Sequence, residues 1–306
     1  MPRKGKHGPL LNFGTIFAFA MASLLVPAAA SLAQTEATAP ASPRSSPGIR
    51  GFSYADLADL AFSAQVVTGV TVIKAERLKG ELAPGLSASN ARFLIQAETG
   101  MLLRGSDGLP GQISYIVDVP LDAKGKAPKL KKARFILFAD RVPQRPLELR
   151  LTSPYSQLDW TQSSESVLRI LLTEASSASA PPFVTGVGNA FHVPGAIPGE
   201  SESQIFLTTP DNRPISLSVL RRPGEQPQWA VALGEMVDDS ARAPAKDSLL
   251  WYRLACFLPP RLPGRSIAAL SASNAEAVRQ DYQYVLAQLG PCGRTIIRQP
   301  PAPAIR

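Results

Sequence analysis

The spacing of apolar residues along this chain changes several times, and each change marks a boundary. Residues 34–50, QTEATAPASPRSSPGIR, have no apolar period and read as a disordered Pro/Ala-rich tether. The stretch FSYADLADLAFSA then sets Leu57, Leu60 and Ala61 on one face of a short helix. Ser53 is its expected N-cap, with Asp56 three residues on as a variant capping box. From Gln65 the period becomes two. QVVTGVTVIKAERL is β-branched and extended, and RFLIQAETGMLL follows after a turn-rich segment. QISYIVDVPL alternates, with Ile113, Tyr115, Val117 and Val119 on one face. ARFILFADR is apolar on both faces at its centre, the pattern of an interior strand. LELRLTS alternates Leu147, Leu149 and Leu151 against Glu148 and Arg150. Helical spacing returns in SSESVLRILLTEA, with Leu168, Leu171 and Leu172 turned inward.

A composition break, SSASAPP at 176–182, closes this unit. After a Gly/Pro-rich stretch come SQIFLTT, PISLSVLR and QWAVALGEM, which alternate as strands around the turns PDNR and RPGEQPQ. DSLLWYRLACFL follows as a helix with Asp247 as N-cap, stopping before Pro259. SNAEAVRQDYQYVLAQLG is a second helix, with a Ser273/Glu276 capping box and Gly290 as its stop. Its apolar stripe is Val278, Tyr282, Val285 and Leu289, while Trp229, Trp251 and Tyr252 read as packing residues. The expected fold is α+β. A five-stranded β-barrel-like unit flanked by helices occupies 51–176, and a Gly/Pro-rich connector follows at 177–203. A three-stranded antiparallel meander with a C-terminal helix hairpin then fills 204–292, ahead of a flexible tail at 293–306.

The N-terminus changes the picture of where this fold resides. MPRKGKHGP is a basic segment, LLNFGTIFAFAMASLLVPAAA is apolar, and SLA before Gln34 supplies small residues at the cleavage positions. Residues 1–33 thus read as a signal peptide, giving a periplasmic or secreted protein with no transmembrane segment after cleavage. An uncleaved membrane anchor is the alternative, since the apolar run is long enough to span a bilayer. The formal charge of +8 includes Arg3, Lys4 and Lys6, and no acidic residue precedes Gln34, so cleavage leaves 8 − 3 = +5. That is mildly basic, and no nucleic-acid partner is expected. Cys256 and Cys292, an even pair in an exported chain, are expected to form one disulfide.

Residues 65–153, through QVVTGVTV, RLKG, ISYIVDVP and RFILFA, resemble the small OB-like β-barrel domains of bacterial secreted proteins. In that family a helix usually stands between the third and fourth strands, whereas here helices precede and follow the strands. The whole chain is similar to a group of alphaproteobacterial secreted proteins, a resemblance that carries no activity with it.

Two stretches bear on chemistry. TGVGNAFHVPGAIPGES, residues 185–201, surrounds His192 with glycines and prolines; once the leader is removed, this is the chain's one histidine. GVGNAF opens like a nucleotide loop, but Phe191 stands where a third glycine is needed and Pro194 and Pro198 bar the helix that would hold a phosphate. As a hydrolase, His192 would be general base to a serine, oriented by Glu200, Glu202 or an aspartate. The same histidine with Glu200 and Glu202 is a metal set without the usual helical spacing, so no metal and no cofactor are expected. The favoured reading is an ordered connector, neither helix nor strand, pinned to the body by Phe191, Val193 and Ile197. The acidic pairs Asp238/Asp239 and Glu200/Glu202 read as solvated turns.

DAKGKAPKLKKAR puts Lys124, Lys126, Lys129, Lys131, Lys132 and Arg134 into one projecting hairpin loop with no acidic residue among them. Such a loop suits anionic lipid head groups or acidic glycan, or it keeps a sheet edge from pairing with other chains. It lacks the interleaved aromatics of a single-strand binding platform. The resulting expectation is a non-catalytic envelope protein that binds a partner protein or an anionic envelope component. The alternative is a periplasmic hydrolase using His192.

Overall fold

Helix α1 (Tyr54–Ser63) begins where Ser53 and Asp56 satisfy each other reciprocally. Ser53 Oγ accepts from the Asp56 N–H at 3.1 Å, and the Asp56 carboxylate accepts from the Ser53 N–H at 2.8 Å. Leu57, Leu60 and Ala61 are buried, as their spacing predicts. The computed structural model describes residues 51–234 and 241–296. Residues 1–33 and 34–50, where a signal peptide and a tether are expected, lie outside the described residues, as do Asp238, Asp239 and the last ten residues of the chain.

Five strands follow: β1 (Val66–Leu78), β2 (Asn90–Arg104), β3 (Gln112–Pro120), β4 (Arg134–Val142) and β5 (Arg145–Leu151). They run in the order β1-β2-β3-β5-β4, and β4 pairs back onto β1, so the sheet closes into a barrel. β3 and β5 are parallel; the other barrel pairs are antiparallel. A short β6 (Gln157–Asp159) adds to β4. The inner face of β3 is the expected one, since Ile113, Tyr115, Val117 and Val119 are all buried in the barrel. β5 departs from its alternation in part, because Leu149 is buried while Leu147 is exposed.

β4 joins the layers. Phe135, Leu137 and Ala139 fill the barrel interior, while Ile136 and Phe138 face outward into a second apolar cluster. There they pack with α1 and with Leu168 and Leu171 of α2 (Gln162–Ser176). The same cluster runs on through Val184, Val187, Ile205, Leu217, Leu249 and Tyr282, so residues 177–203 do not divide the apolar core.

The meander has a fourth strand. β7 (Gly186–Pro194), β8 (Ser201–Thr208), β9 (Ser216–Arg221) and β10 (Gln228–Ala232) form one antiparallel sheet in the order β10-β9-β8-β7. The expected connector is therefore mostly a strand and a hairpin turn. Its glycines and proline are tolerated because β7 is an edge strand: an irregularity between Val187 and Ala190 takes up Gly188, and Pro194 is the strand's last residue.

Helices α3 (Leu249–Ala255) and α4 (Ala272–Leu289) complete the fold. Both start at a different cap from the one expected. Ser248 caps α3, since Asp247 sits in the left-handed region at φ 58°, and Ser271 caps α4 in place of Ser273. Gly290, at φ 70°, ends α4 as predicted. Cys256 and Cys292 are joined by a disulfide, S–S 2.07 Å. Beyond it the chain returns to α1, so residues 293–296 are docked where a flexible tail is expected. The Asp56 carboxylate accepts from the N–H groups of Thr295 and Ile296, at 3.0 and 3.1 Å, and Asp59 accepts from Arg294 Nε at 2.6 Å.

Candidate functional site

On β7 the period-two alternation divides the residues around His192. Ala190 is buried and His192 half-buried, whereas Phe191 and Val193 are 53% and 64% exposed. Ile197, in the turn, is 60% exposed. Of these three apolar side chains Phe191 meets the ring of Phe206 edge-on, at 5.9 Å between centroids, while Val193 and Ile197 face solvent. The hydrogen-bonded ladder with β8, rather than the expected three pins, holds the segment to the body.

His192 pairs across the sheet with Ser203, and its Nδ1 lies 2.8 Å from Ser203 Oγ. Ser203 donates its hydroxyl to Asp281 Oδ2 of α4 at 2.5 Å. Since that proton goes to the carboxylate, Ser203 accepts from His192, whose Nδ1 must carry a proton. Arg221 of β9 donates to Asp281 Oδ1 at 2.6 Å and balances its charge. Asn274 Nδ2, also on α4, reaches the His192 carbonyl at 3.5 Å.

The result is a histidine, a serine and an aspartate in hydrogen-bonded series, but in the order His–Ser–Asp. Acyl transfer needs the imidazole in the middle, with a free nitrogen facing the serine. Here the serine is in the middle and the nitrogen facing it is a donor. Ser203 and Asp281 are both 0% exposed, so the hydroxyl is not presented to a substrate. The arrangement satisfies a buried carboxylate and ties β7, β8 and β9 to α4. Glu202, the neighbour of Ser203 in β8, pairs with Val193 and is exposed. Glu200 lies in the hairpin turn, where its carbonyl accepts from Gly195 N–H at 2.8 Å. Neither glutamate joins His192. Ser203, Asp281 and Arg221 carry no signal in the sequence that would single them out.

The lysine loop connects β3 to β4 and is anchored at both ends. Asp122 accepts from the N–H groups of Lys124 and Lys126, both at 2.8 Å, and Gly125 turns the chain at φ 73°. At the far end Leu130 is buried in the barrel core. Lys132 N–H then donates to the Val72 carbonyl at 2.9 Å, and Val72 N–H donates to the Ala133 carbonyl at 3.0 Å. Lys124, Lys126, Lys129, Lys131 and Lys132 are exposed, and none forms an ion pair with a described residue. Lys129 and Lys131 flank a groove of about 490 Å³ whose other walls include Ile73 and Phe93 of the barrel.

Arg134 does not belong with them. It opens β4 and stacks on Trp160 at 3.5 Å from the ring centroid. Trp160 Nε1 in turn donates to Glu165 at 3.0 Å. The Glu165 carboxyl is held below its usual range, first by a hydrogen bond from Arg169 and then by the one from Trp160. Thus five of the six expected cations are lysines of the loop, and the sixth, Arg134, is also exposed but lies on β4 against Trp160.

Comparison with protein-family models finds none that matches the chain, and comparison with curated proteins finds no significant relative.

Proposed function

We propose that the protein is a non-catalytic, exported envelope protein that binds an anionic envelope component through its β3–β4 loop. The observation that carries this reading is the set of five exposed lysines, unpaired among the described residues, on a loop fixed by Asp122, Leu130 and Val72. A loop so anchored loses little conformational freedom when it meets a ligand. Clustered like charges that are not taken up in ion pairs raise the local concentration of anions. The disulfide supports an oxidising compartment. The barrel's strand order, with β3 parallel to β5 and β4 closing on β1, supports the resemblance to OB-like barrels.

The hydrolase reading has one observation in its favour, the contact of His192 with a serine that also meets an aspartate. The order of that series and the burial of Ser203 favour the structural role.

The test is sedimentation with vesicles of phosphatidylglycerol in phosphatidylcholine, against vesicles of phosphatidylcholine alone. Binding should require the anionic lipid, fall steeply with salt, and vanish when Lys129, Lys131 and Lys132 are replaced by glutamine. Association that ignores both salt and substitution would remove the loop from the function.

A further inference from the structure

Where the end of β2 meets α1, α2 and α3 lies a second cavity, of about 450 Å³ and open to solvent. This is within the size range of small-molecule sites. Its apolar walls include Phe62 of α1, Leu103 of β2 and Leu172 of α2. Two arginines line it, Arg104 from β2 and Arg253 from α3, and no carboxylate does.

Each guanidinium is held by the fold through one nitrogen. Arg104 Nη1 donates to the Ala61 carbonyl at 2.8 Å, and Arg253 Nη1 donates to the Pro181 carbonyl. Their other N–H groups have no hydrogen-bond partner among the described residues, and neither side chain is in an ion pair. Arg253 Nε is moreover buried without an acceptor. Burial first, and the neighbouring charge of Arg213 second, push the Arg253 pKa down; Tyr252, Glu174 and Asp211 act the other way. An anion in the cavity would offset both effects by favouring the charged form.

We propose that this cavity binds an amphipathic oxyanion, a carboxylate or phosphate ester carrying an apolar chain, with its head on Arg104 and Arg253. The apolar chain lies against Phe62, Leu103 and Leu172. Guanidinium groups suit such a head because their planar donors match two oxygens at once. The site is separate from the lysine loop: β1 pairs with Arg104 at Val67, and with the lysine loop at Val72. Those points are about 17 Å apart at a strand's rise per residue. The inference therefore does not depend on the loop's function.

The probes are octanoate, octyl phosphate, octanol and inorganic phosphate, each titrated calorimetrically into the purified protein. At least one of the two amphiphiles should bind, and whichever binds identifies the head group. Octanol and inorganic phosphate should each be weaker by at least about tenfold, as each lacks half of the recognised chemistry. Arg104→Met should weaken the amphiphile by a similar factor while thermal melting stays in place. Arg253→Lys, which keeps the charge and loses the planar donors, should weaken it too. If the Arg253 variant fails to fold, the Arg104 variant and the octanol comparison still decide. No binding of either amphiphile, equal affinity for octanol, or an Arg104→Met variant of unchanged affinity would each overturn the proposal.

Discussion

Ser203 of β8 gives its hydroxyl proton to Asp281 of α4, across 78 residues of chain and at 2.5 Å. This bond orders the surrounding polar groups. It makes the serine an acceptor for His192 and leaves Arg221 to balance the remaining carboxylate oxygen. Both members are fully buried, so their mutual satisfaction bears on stability.

Removing the middle of that series should therefore matter more than changing its outer end. Ser203→Ala strips Asp281 Oδ2 of its donor and His192 Nδ1 of its acceptor. It should lower unfolding free energy by about 1–3 kcal/mol, the usual cost of a buried polar group left unsatisfied. His192→Gln keeps a donor near Ser203 on a half-buried residue and should cost less than about 1 kcal/mol. Urea denaturation of the two variants checks the order. If His192→Gln instead abolishes a hydrolytic activity found by substrate screening, with the fold intact, the histidine is catalytic and the series is not merely structural.

Acid should release the C-terminal segment from α1. Burial of Asp56 works against its ionised form, but hydrogen bonds from Thr295, Ser53 and Ile296 outweigh it and hold the carboxyl below its ordinary range. A carboxylate with a depressed folded-state pKa adds stability above its unfolded value, near 4, and that stability is lost as pH falls through the folded value. The amide protons of Thr295 and Ile296, which donate to Asp56, report this directly. Corrected for intrinsic rates, their hydrogen exchange should accelerate below about pH 4 in the wild type. In Asp56→Asn it should already be fast at neutral pH. Protection that persists in the variant would show that the disulfide and the Arg294–Asp59 pair hold the segment without the Asp56 carboxylate.

Reducing or removing the disulfide tests the same region from its other side. The bond closes a loop with a sequence separation of 36, between the end of α3 and the residues after α4. A loop of that size corresponds to about 4 kcal/mol in the chain-entropy model. Cys256→Ala/Cys292→Ala should lower the unfolding free energy measured in urea by up to that amount, with a lower midpoint. It should also loosen the contact of Arg294 with Asp59, because the tether that brings Arg294 to α1 is gone. An unchanged midpoint would mean that α3 and α4 are fixed by their buried packing, Trp251 and Tyr282 included, without help from the disulfide.

Much of this fold was legible in the sequence where one element's pattern was decided by its own burial. The run ARFILFADR predicts an interior strand, and β4 is buried on both faces because the barrel lies on one side and helices on the other. The Ser53/Asp56 box and Gly290 were legible for the same local reason. β7 was not, because glycines and prolines argue against a strand unless it is known to be an edge, and edge position is a tertiary fact. The partners of His192 were equally hidden: Ser203 stands opposite only in the β7–β8 register, and Asp281 arrives from α4. The lysine cluster was legible, but its anchoring was not. Leu130 reads as one apolar residue in a charged loop, and only the closed barrel shows what it fills.

Leu130 provides the last prediction, because it separates a loop that merely projects from one that is held. Its side chain is buried in the barrel with Val72, Phe93 and Phe135 while Lys129 and Lys131 on either side are exposed. Leu130→Ala would leave a cavity in that core and should cost about 2–5 kcal/mol, as buried leucine truncations do. Lys129→Gln and Lys131→Gln remove no packed atoms and no ion pair, and each should stay within about 0.5 kcal/mol of the wild type. Differential scanning calorimetry on the three variants distinguishes these outcomes. Should Leu130→Ala prove as neutral as the lysine changes, the loop is not fixed by the barrel. The pre-organised cationic surface proposed for binding would then lose its physical basis.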